Sequence, residues 1–209
     1  MTKIQLALDR LTKKKCFEIV DQTEDYIDFI EVGTGVIKEY GMSIVREMSD
    51  RYPQKIIVAD MKTCDAGKHE AIQAFKAGAH ITTVMGFASN QTIIEMLSVA
   101  KQYDQQLMVD LLGITDSSRI DELHQLGVRM FNIHIGIDLQ KDMAWDAQHF
   151  QLTKHLSDIQ LVISGGIKRE TLPLLMKQGP SVVIVGSAIT GHSRPSEAAK
   201  EIYEGVAVV

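Results

Sequence analysis

The chain has 209 residues, 45% of them hydrophobic and 23% charged, with a formal net charge of −5. That length allows one large domain or two small ones with a sizeable core, and the composition is ordinary for a globular protein. The acidic balance and the lack of any basic cluster argue against a nucleic-acid or anionic-membrane partner. No apolar run approaches the roughly 18 residues of a membrane span. The N-terminal "MTKIQLALDR" has Asp9 inside its apolar run and no small-residue cleavage site, so no secretory signal is expected. Cys16 and Cys64 make neither a disulfide framework nor a zinc motif, and a reducing cytoplasm is the expected location.

Short apolar runs alternate with segments of helical spacing along the whole chain. "IQLAL" (4–8) is followed by a helical segment at 12–23, opened by Thr12, with Cys16, Phe17, Ile19 and Val20 inward. "DFIEV" (28–32) precedes a helical segment at 36–51 carrying Ile37, Ile44, Val45 and Met48. "KIIVAD" (55–60) leads to 67–77, closed by Gly78, and "HITTVM" (80–85) to 90–103, with Asn90 as the expected N-cap. "QLMVDLL" (106–112) precedes 116–126, which opens on an Asp-Ser-Ser cap and ends before Gly127. "RMFNIHI" (129–135), "IQLVIS" (159–164) and "SVVIVG" (181–186) precede helical segments at 145–157, 169–178 and 195–205.

Several runs are apolar on both faces and rich in β-branched residues, which suits parallel strands covered on both sides. Strand then helix, eight times at about 25 residues per repeat, predicts an α/β fold: a single-domain (β/α)8 TIM barrel over residues 1–209. A doubly wound open sheet is the rival. The longest irregular stretch is "GIDLQKDMAW" at about 136–145.

In such a barrel the chemistry sits at the C-terminal ends of the strands. Here those ends carry Asp9, Glu31, Asp60 with Lys62 just beyond, Asp110 and His134, then Gly165-Gly166 and Gly186-Ser187. Buried charges need partners, so these groups should pair with each other, a metal or a ligand. Glu31 and Asp60, from adjacent strands, offer hard oxygens for Mg²⁺; equally, Lys62 in a structural network could neutralise Asp9 and Asp60. Lys62 between carboxylates should stay cationic and could stabilise an oxyanion. Asp65 is either the N-cap of the next helix or a functional acid. His134 is either a satisfied core group or a general acid–base. The other six histidines read as solvent-facing or rim residues. The glycine turns favour phosphate over simple turns, because glycine lets backbone N–H groups approach an anion.

The motifs "LALD" (6–9), "EVGTGVI" (31–37), "ADMKTCDAG" (59–67), "HIGIDLQ" (134–140), "SGGI" (164–167) and "IVGSAIT" (184–190) resemble the 3-hexulose-6-phosphate synthases. That family lies in the orotidine 5′-monophosphate decarboxylase suprafamily, beside the 3-keto-L-gulonate-6-phosphate decarboxylases. The resemblance runs over nearly the whole chain. It implies Mg²⁺ on Glu31 and Asp60, Asp9 positioning Lys62 and a substrate hydroxyl, Lys62 on an enediolate oxygen and His134 carrying protons. It also implies that Asp65 reaches into a neighbouring subunit's site in a homodimer, and that Gly165, Gly166, Gly186 and Ser187 hold the substrate phosphate. The implied reaction joins ribulose 5-phosphate to formaldehyde. "HIGIDLQ" lacks the arginine of the decarboxylases after the histidine, and Thr63 also looks like the synthases. Ser187 stands where the decarboxylases and some synthases carry an arginine, and Ser164 where alanine is common. The rival readings are a decarboxylase of 3-keto-L-gulonate 6-phosphate, a sugar-phosphate epimerase or isomerase, and a non-catalytic phosphosugar-binding barrel.

Overall fold

The computed structural model describes residues 1–141 and 144–207. Eight parallel strands close into a barrel in chain order: β1 (Lys3–Leu8), β2 (Phe29–Val32), β3 (Ile56–Thr63), β4 (Ile81–Met85), β5 (Gln106–Asp110), β6 (Met130–His134), β7 (Gln160–Ser164) and β8 (Val182–Val185), with β8 pairing back onto β1. The helices are α1 (Lys13–Thr23), α2 (Thr34–Tyr40), α3 (Met42–Arg51), α4 (Gly67–Lys76), α5 (Asn90–Gln102), α6 (Ser117–Gln125), α7 (Leu172–Met176), α8 (Ser187–Thr190) and α9 (Pro195–Ala207). Short 3₁₀ turns lie at Glu24–Tyr26, Ala147–Phe150 and Arg169–Thr171. The expected (β/α)8 barrel is the observed fold. Among the described residues no helix is long and apolar enough to cross a membrane.

The strand alternation divides the core in two. Ile4, Leu6 and Leu8, Ile57 and Ala59, Val183 and Val185 point outward and are sealed by the helices. Val58, Ile81, Met108, Met130, Val162, Val182 and Ile184 point inward and plug the barrel below its mouth. Burial on both faces is why these strands read as continuous apolar runs.

Four local expectations change. The segment read as one helix at 36–51 is two helices, because Gly41 sits at φ 64°, ψ −164°, a conformation closed to side-chain-bearing residues. The N-cap of α5 is Ser89, whose hydroxyl accepts the Thr92 amide at 3.1 Å, one residue before Asn90. The segment 145–157 is a 3₁₀ turn followed by further turns. Its buried anchors Trp145, Phe150 and Thr153 do not recur at helical spacing, and Asp146 caps the turn through the Gln148 amide. Residues 142 and 143 of the irregular stretch lie outside the described residues. Finally, His80 is no rim residue: its Nδ1 accepts the Ile57 amide at 3.0 Å at the foot of β3, and burial lowers its pKa.

Candidate active site

The strand β3 departs from regular pairing where it reaches the mouth. Ala59 pairs with Thr82 and Thr63 with Val84, so four steps on β3 are matched by two on β4. This bulge bends the strand and re-aims its side chains. Lys62 lies inside it at φ 46°, held there by its amide, which donates to the Thr83 hydroxyl at 2.9 Å. The bulge brings Asp60 and Lys62 side by side, with Nζ 2.9 Å from Asp60 Oδ2.

Asp60 is fixed from both flanks. Thr34 donates to its Oδ2 and Thr83 to its Oδ1, each at 2.8 Å. The Lys62 ammonium also reaches Asp110 Oδ2 at 2.8 Å, from the end of β5. Asp110 is 1% exposed and accepts the Leu112 amide at 2.9 Å and His134 Nδ1 at 2.9 Å. Burial would raise its pKa, but His134 and Lys62 override that and lower it to about 2. For Lys62, burial works toward the neutral amine, and Asp60, Asp110 and Glu31 outweigh it, so the ammonium is held well above its usual range. Lys62 therefore stays charged in a buried setting.

Glu31, on β2, is buried and receives the Gln5 amide. Burial first, and then the neighbouring Asp60 charge, push its carboxyl up to about 8. A positive charge beside Glu31 would lower the cost of ionising it. Among the described residues, no three His, Cys, Asp or Glu side chains cluster so as to hold an ion alone.

The turns after β7 and β8 complete the mouth. Gly165 has φ 95°, and a Cβ there would lie 2.0 Å from the Ile135 carbonyl oxygen, so only glycine fits. Trp145 Nε1 donates to the Gly165 carbonyl at 2.8 Å, which fixes the turn from outside. Gly186 opens the one-turn helix α8 and accepts the Ile189 and Thr190 amides at 2.9 and 3.0 Å.

Asp9, Glu31, Asp60, Lys62, His134, Gly165, Gly166, Gly186 and Ser187 all line one cavity of about 300 Å³. A family profile described as "Orotidine 5'-phosphate decarboxylase / HUMPS family" matches residues 2–202. The chain belongs to this family. It is 36% identical to the 3-hexulose-6-phosphate synthase of Mycobacterium gastri over 206 residues, covering 98% of this chain and 100% of that one. The crystal structure of the Salmonella typhimurium 3-hexulose-6-phosphate synthase matches with a TM-score of 0.96 at 32% identity, over 99% of both chains. That of the Vibrio cholerae 3-keto-L-gulonate-6-phosphate decarboxylase matches with a TM-score of 0.89 at 28% identity, over 99% of this chain and 98% of the other. With such relatives, this member of the family is a lyase-type enzyme.

Two residues sit differently from the rest of the predicted site. Asp65 is exposed on the turn after β3, away from the cavity lining. It does not cap α4, whose N-cap is Ala66 in the left-handed conformation without a side-chain bond. Asp9 lines the cavity but its Oδ1 accepts the Gly35 amide at 2.9 Å, and Lys62 pairs with Asp60 and Asp110 instead. Asp110, a strand-end acid outside the predicted site residues, ties Lys62 to His134. Thr34, Thr83, Gln5 and Asn132 likewise lie outside the predicted site residues. Asn132 Oδ1, Ser164 Oγ and Gln5 Oε1 are buried without a protein partner, and the first two residues line the cavity. Polar side chains at inward positions of apolar strands are the signal that could have found them.

Proposed function

We propose that the chain condenses D-ribulose 5-phosphate with formaldehyde to D-arabino-hex-3-ulose 6-phosphate, as a 3-hexulose-6-phosphate synthase of the ribulose monophosphate pathway. One observation carries the reading: the Lys62 ammonium and the His134 imidazole share one buried carboxylate, Asp110. With Nδ1–H donating to Asp110, the basic lone pair of His134 is on Nε2, free to face substrate. His134 takes the proton from C1 of the pentulose, and Asp110 stabilises the imidazolium. Lys62 balances the negative charge that develops on the C2 oxygen. The C1 carbon of the enediolate attacks formaldehyde, and the new alkoxide recovers the proton. The glycine turns at Gly165-Gly166 and Gly186-Ser187 receive the phosphate, where the first N–H groups of α8 lack intrahelical acceptors.

The residues fit a resident Mg²⁺. This ion takes one or two carboxylates and leaves its other positions to water and substrate oxygens, which is what Glu31 and Asp60 offer. The high Glu31 pKa fits as well, since a cation there removes the cost of ionising it. When bound, the ion would polarise the C2 carbonyl and acidify the C1 proton. Chelation is expected to stop turnover and added Mg²⁺ to restore it. Mg²⁺ titrated into chelated protein at pH 7 is expected to release protons, as Glu31 ionises. Full activity after exhaustive chelation would remove the ion from the reading.

The related decarboxylation would add a carboxylate to a cavity whose cations are few. Ile137 lines the mouth just after His134 and brings no charge to meet it. The deciding experiment is a paired assay with Mg²⁺, following formaldehyde loss with ribulose 5-phosphate in one arm and CO₂ release from 3-keto-L-gulonate 6-phosphate in the other. Higher kcat/KM in the first arm is expected, and dominance of the second would overturn the synthase reading.

Asp65 belongs to a homodimer in which each site draws on two chains. Its exposure on the turn next to Lys62 supports this. Mixing an Asp65→Ala protein with a Lys62→Ala protein, each inactive alone, is expected to regain up to about a quarter of normal activity through hybrid sites. No recovery in proven mixed dimers would mean that the sites are not shared.

A further inference from the structure

The phosphate turns contain no cation. Gly165, Gly166, Gly186, Ser187 and Thr190 supply only neutral groups to the cavity. A phosphate monoester is close to a dianion at neutral pH, and the cavity already holds Asp9, Glu31, Asp60 and Asp138. Two of the side chains there able to carry positive charge are committed elsewhere. Lys62 lies 2.8 to 2.9 Å from Asp110 and Asp60, and His134 lies 2.9 Å from Asp110. Among the described residues lining the cavity, that leaves Arg10.

Arg10 follows β1 by two residues, and β1 is the strand that pairs with β8, whose end carries Gly186 and Ser187. Its one ion pair among the described residues is loose, Nε to Asp9 Oδ2 at 3.6 Å, with both side chains about half exposed. A pair of this kind contributes little and is readily exchanged for a better partner. Its backbone is left-handed at φ 54°, which is disfavoured for a side-chain-bearing residue. The neighbouring Asp9 is locked on the Gly35 amide and packed so closely that a Cβ at Gly35 would lie 2.6 Å from its carboxylate. The turn is therefore held in an unfavourable conformation that sets Arg10 on the cavity rim. Residues kept in such regions by their surroundings concentrate at ligand clamps.

We propose that Arg10 is the phosphate-gripping residue of this enzyme, leaving its loose contact with Asp9 to form a forked pair with the phosphate over the Gly186-Ser187 turn. A phosphate monoester suits the planar, paired N–H donors of a guanidinium. This rests on the phosphosugar reading above.

The test compares wild type, Arg10→Gln and Arg10→Lys, with ribulose 5-phosphate and with unphosphorylated ribulose at saturating formaldehyde, and with inorganic phosphate as inhibitor. Arg10→Gln is expected to raise KM for ribulose 5-phosphate about 10- to 100-fold, with kcat changed less than about threefold. The inhibition constant of inorganic phosphate should rise in parallel, and the slow turnover of ribulose should not change. Arg10→Lys should recover part of the loss. An unchanged KM and an unchanged phosphate inhibition constant in Arg10→Gln, in a wild type that does prefer the phosphorylated sugar, would overturn the role of Arg10 alone. A lowered melting temperature with unchanged KM would make Arg10 structural and overturn it too. A wild type indifferent to the phosphate would sink both this proposal and the phosphosugar reading.

Discussion

Replacing Lys62 by alanine is expected to lower kcat by at least about 10²- to 10³-fold, the range seen when a preorganised oxyanion donor is removed. The ammonium sits 2.8 and 2.9 Å from two carboxylates on rigid strand ends, so its position is fixed before substrate arrives. That preorganisation is what the variant loses. Removal also takes away the ammonium that lies between Asp60 and Asp110. The cavity opens to solvent at Lys62, whose side chain is 26% exposed, so water and a shared proton can relieve the repulsion. The barrel should therefore stay folded, with an unchanged far-ultraviolet circular dichroism spectrum and a lower melting temperature. A kcat within about tenfold of normal would take Lys62 out of the chemistry.

The second large effect is expected at Asp110. Asparagine keeps the shape of the side chain but cannot accept from both Lys62 and His134 as an anion does. Loss of the orienting carboxylate should lower kcat about 10²- to 10⁴-fold. It should also cost several kcal/mol of stability, since breaking a buried pair costs about 3 to 5 kcal/mol. The pH dependence has a definite sign. The Asp110 pKa in the fold is about 2, below its ordinary value of 3.8. Between these values the unfolded chain holds more protons than the native one, so stability rises with pH across the window. The contribution is full above pH 3.8 and is lost as the pH falls through about 2. Acid denaturation of the wild type should show this limb, and Asp110→Asn should lack it. Equal acid profiles would mean that the Asp110 charge does not stabilise the fold.

Most of the barrel was legible because two-sided burial leaves a direct mark: eight short apolar runs, several rich in β-branched residues, each within a few residues of its observed strand. Two of the helical expectations changed, each for its own reason. At Gly41 a single left-handed glycine divides an otherwise continuous helical pattern. After β6, Trp145 is drawn to the barrel by its bond to the Gly165 carbonyl 20 residues away, and Phe150 stacks on it, a long-range tie that helical spacing does not encode. The site followed the same rule. Asp60 and Lys62 announced themselves by adjacency on one strand end. Asp110 stood at a strand end too, but its partners Lys62 and His134 are 48 and 24 residues away. Its role becomes visible only when the barrel closes. The role proposed for Arg10 was hidden for another reason, since it depends on a backbone angle and on the lack of another free cation among the described residues that line the cavity.

The bulge in β3 confines an exception to one segment. On either side of it, β2 pairs with β3 and β4 with β5 in unbroken register. Residues 60 to 62 therefore hang from the barrel wall without setting its circumference or the alternation of the other strands. Length and side-chain direction within this segment can vary while the closure of the sheet stays the same. A family that reuses one barrel for different reactions has here a place where chemistry can be rewritten without renegotiating the fold.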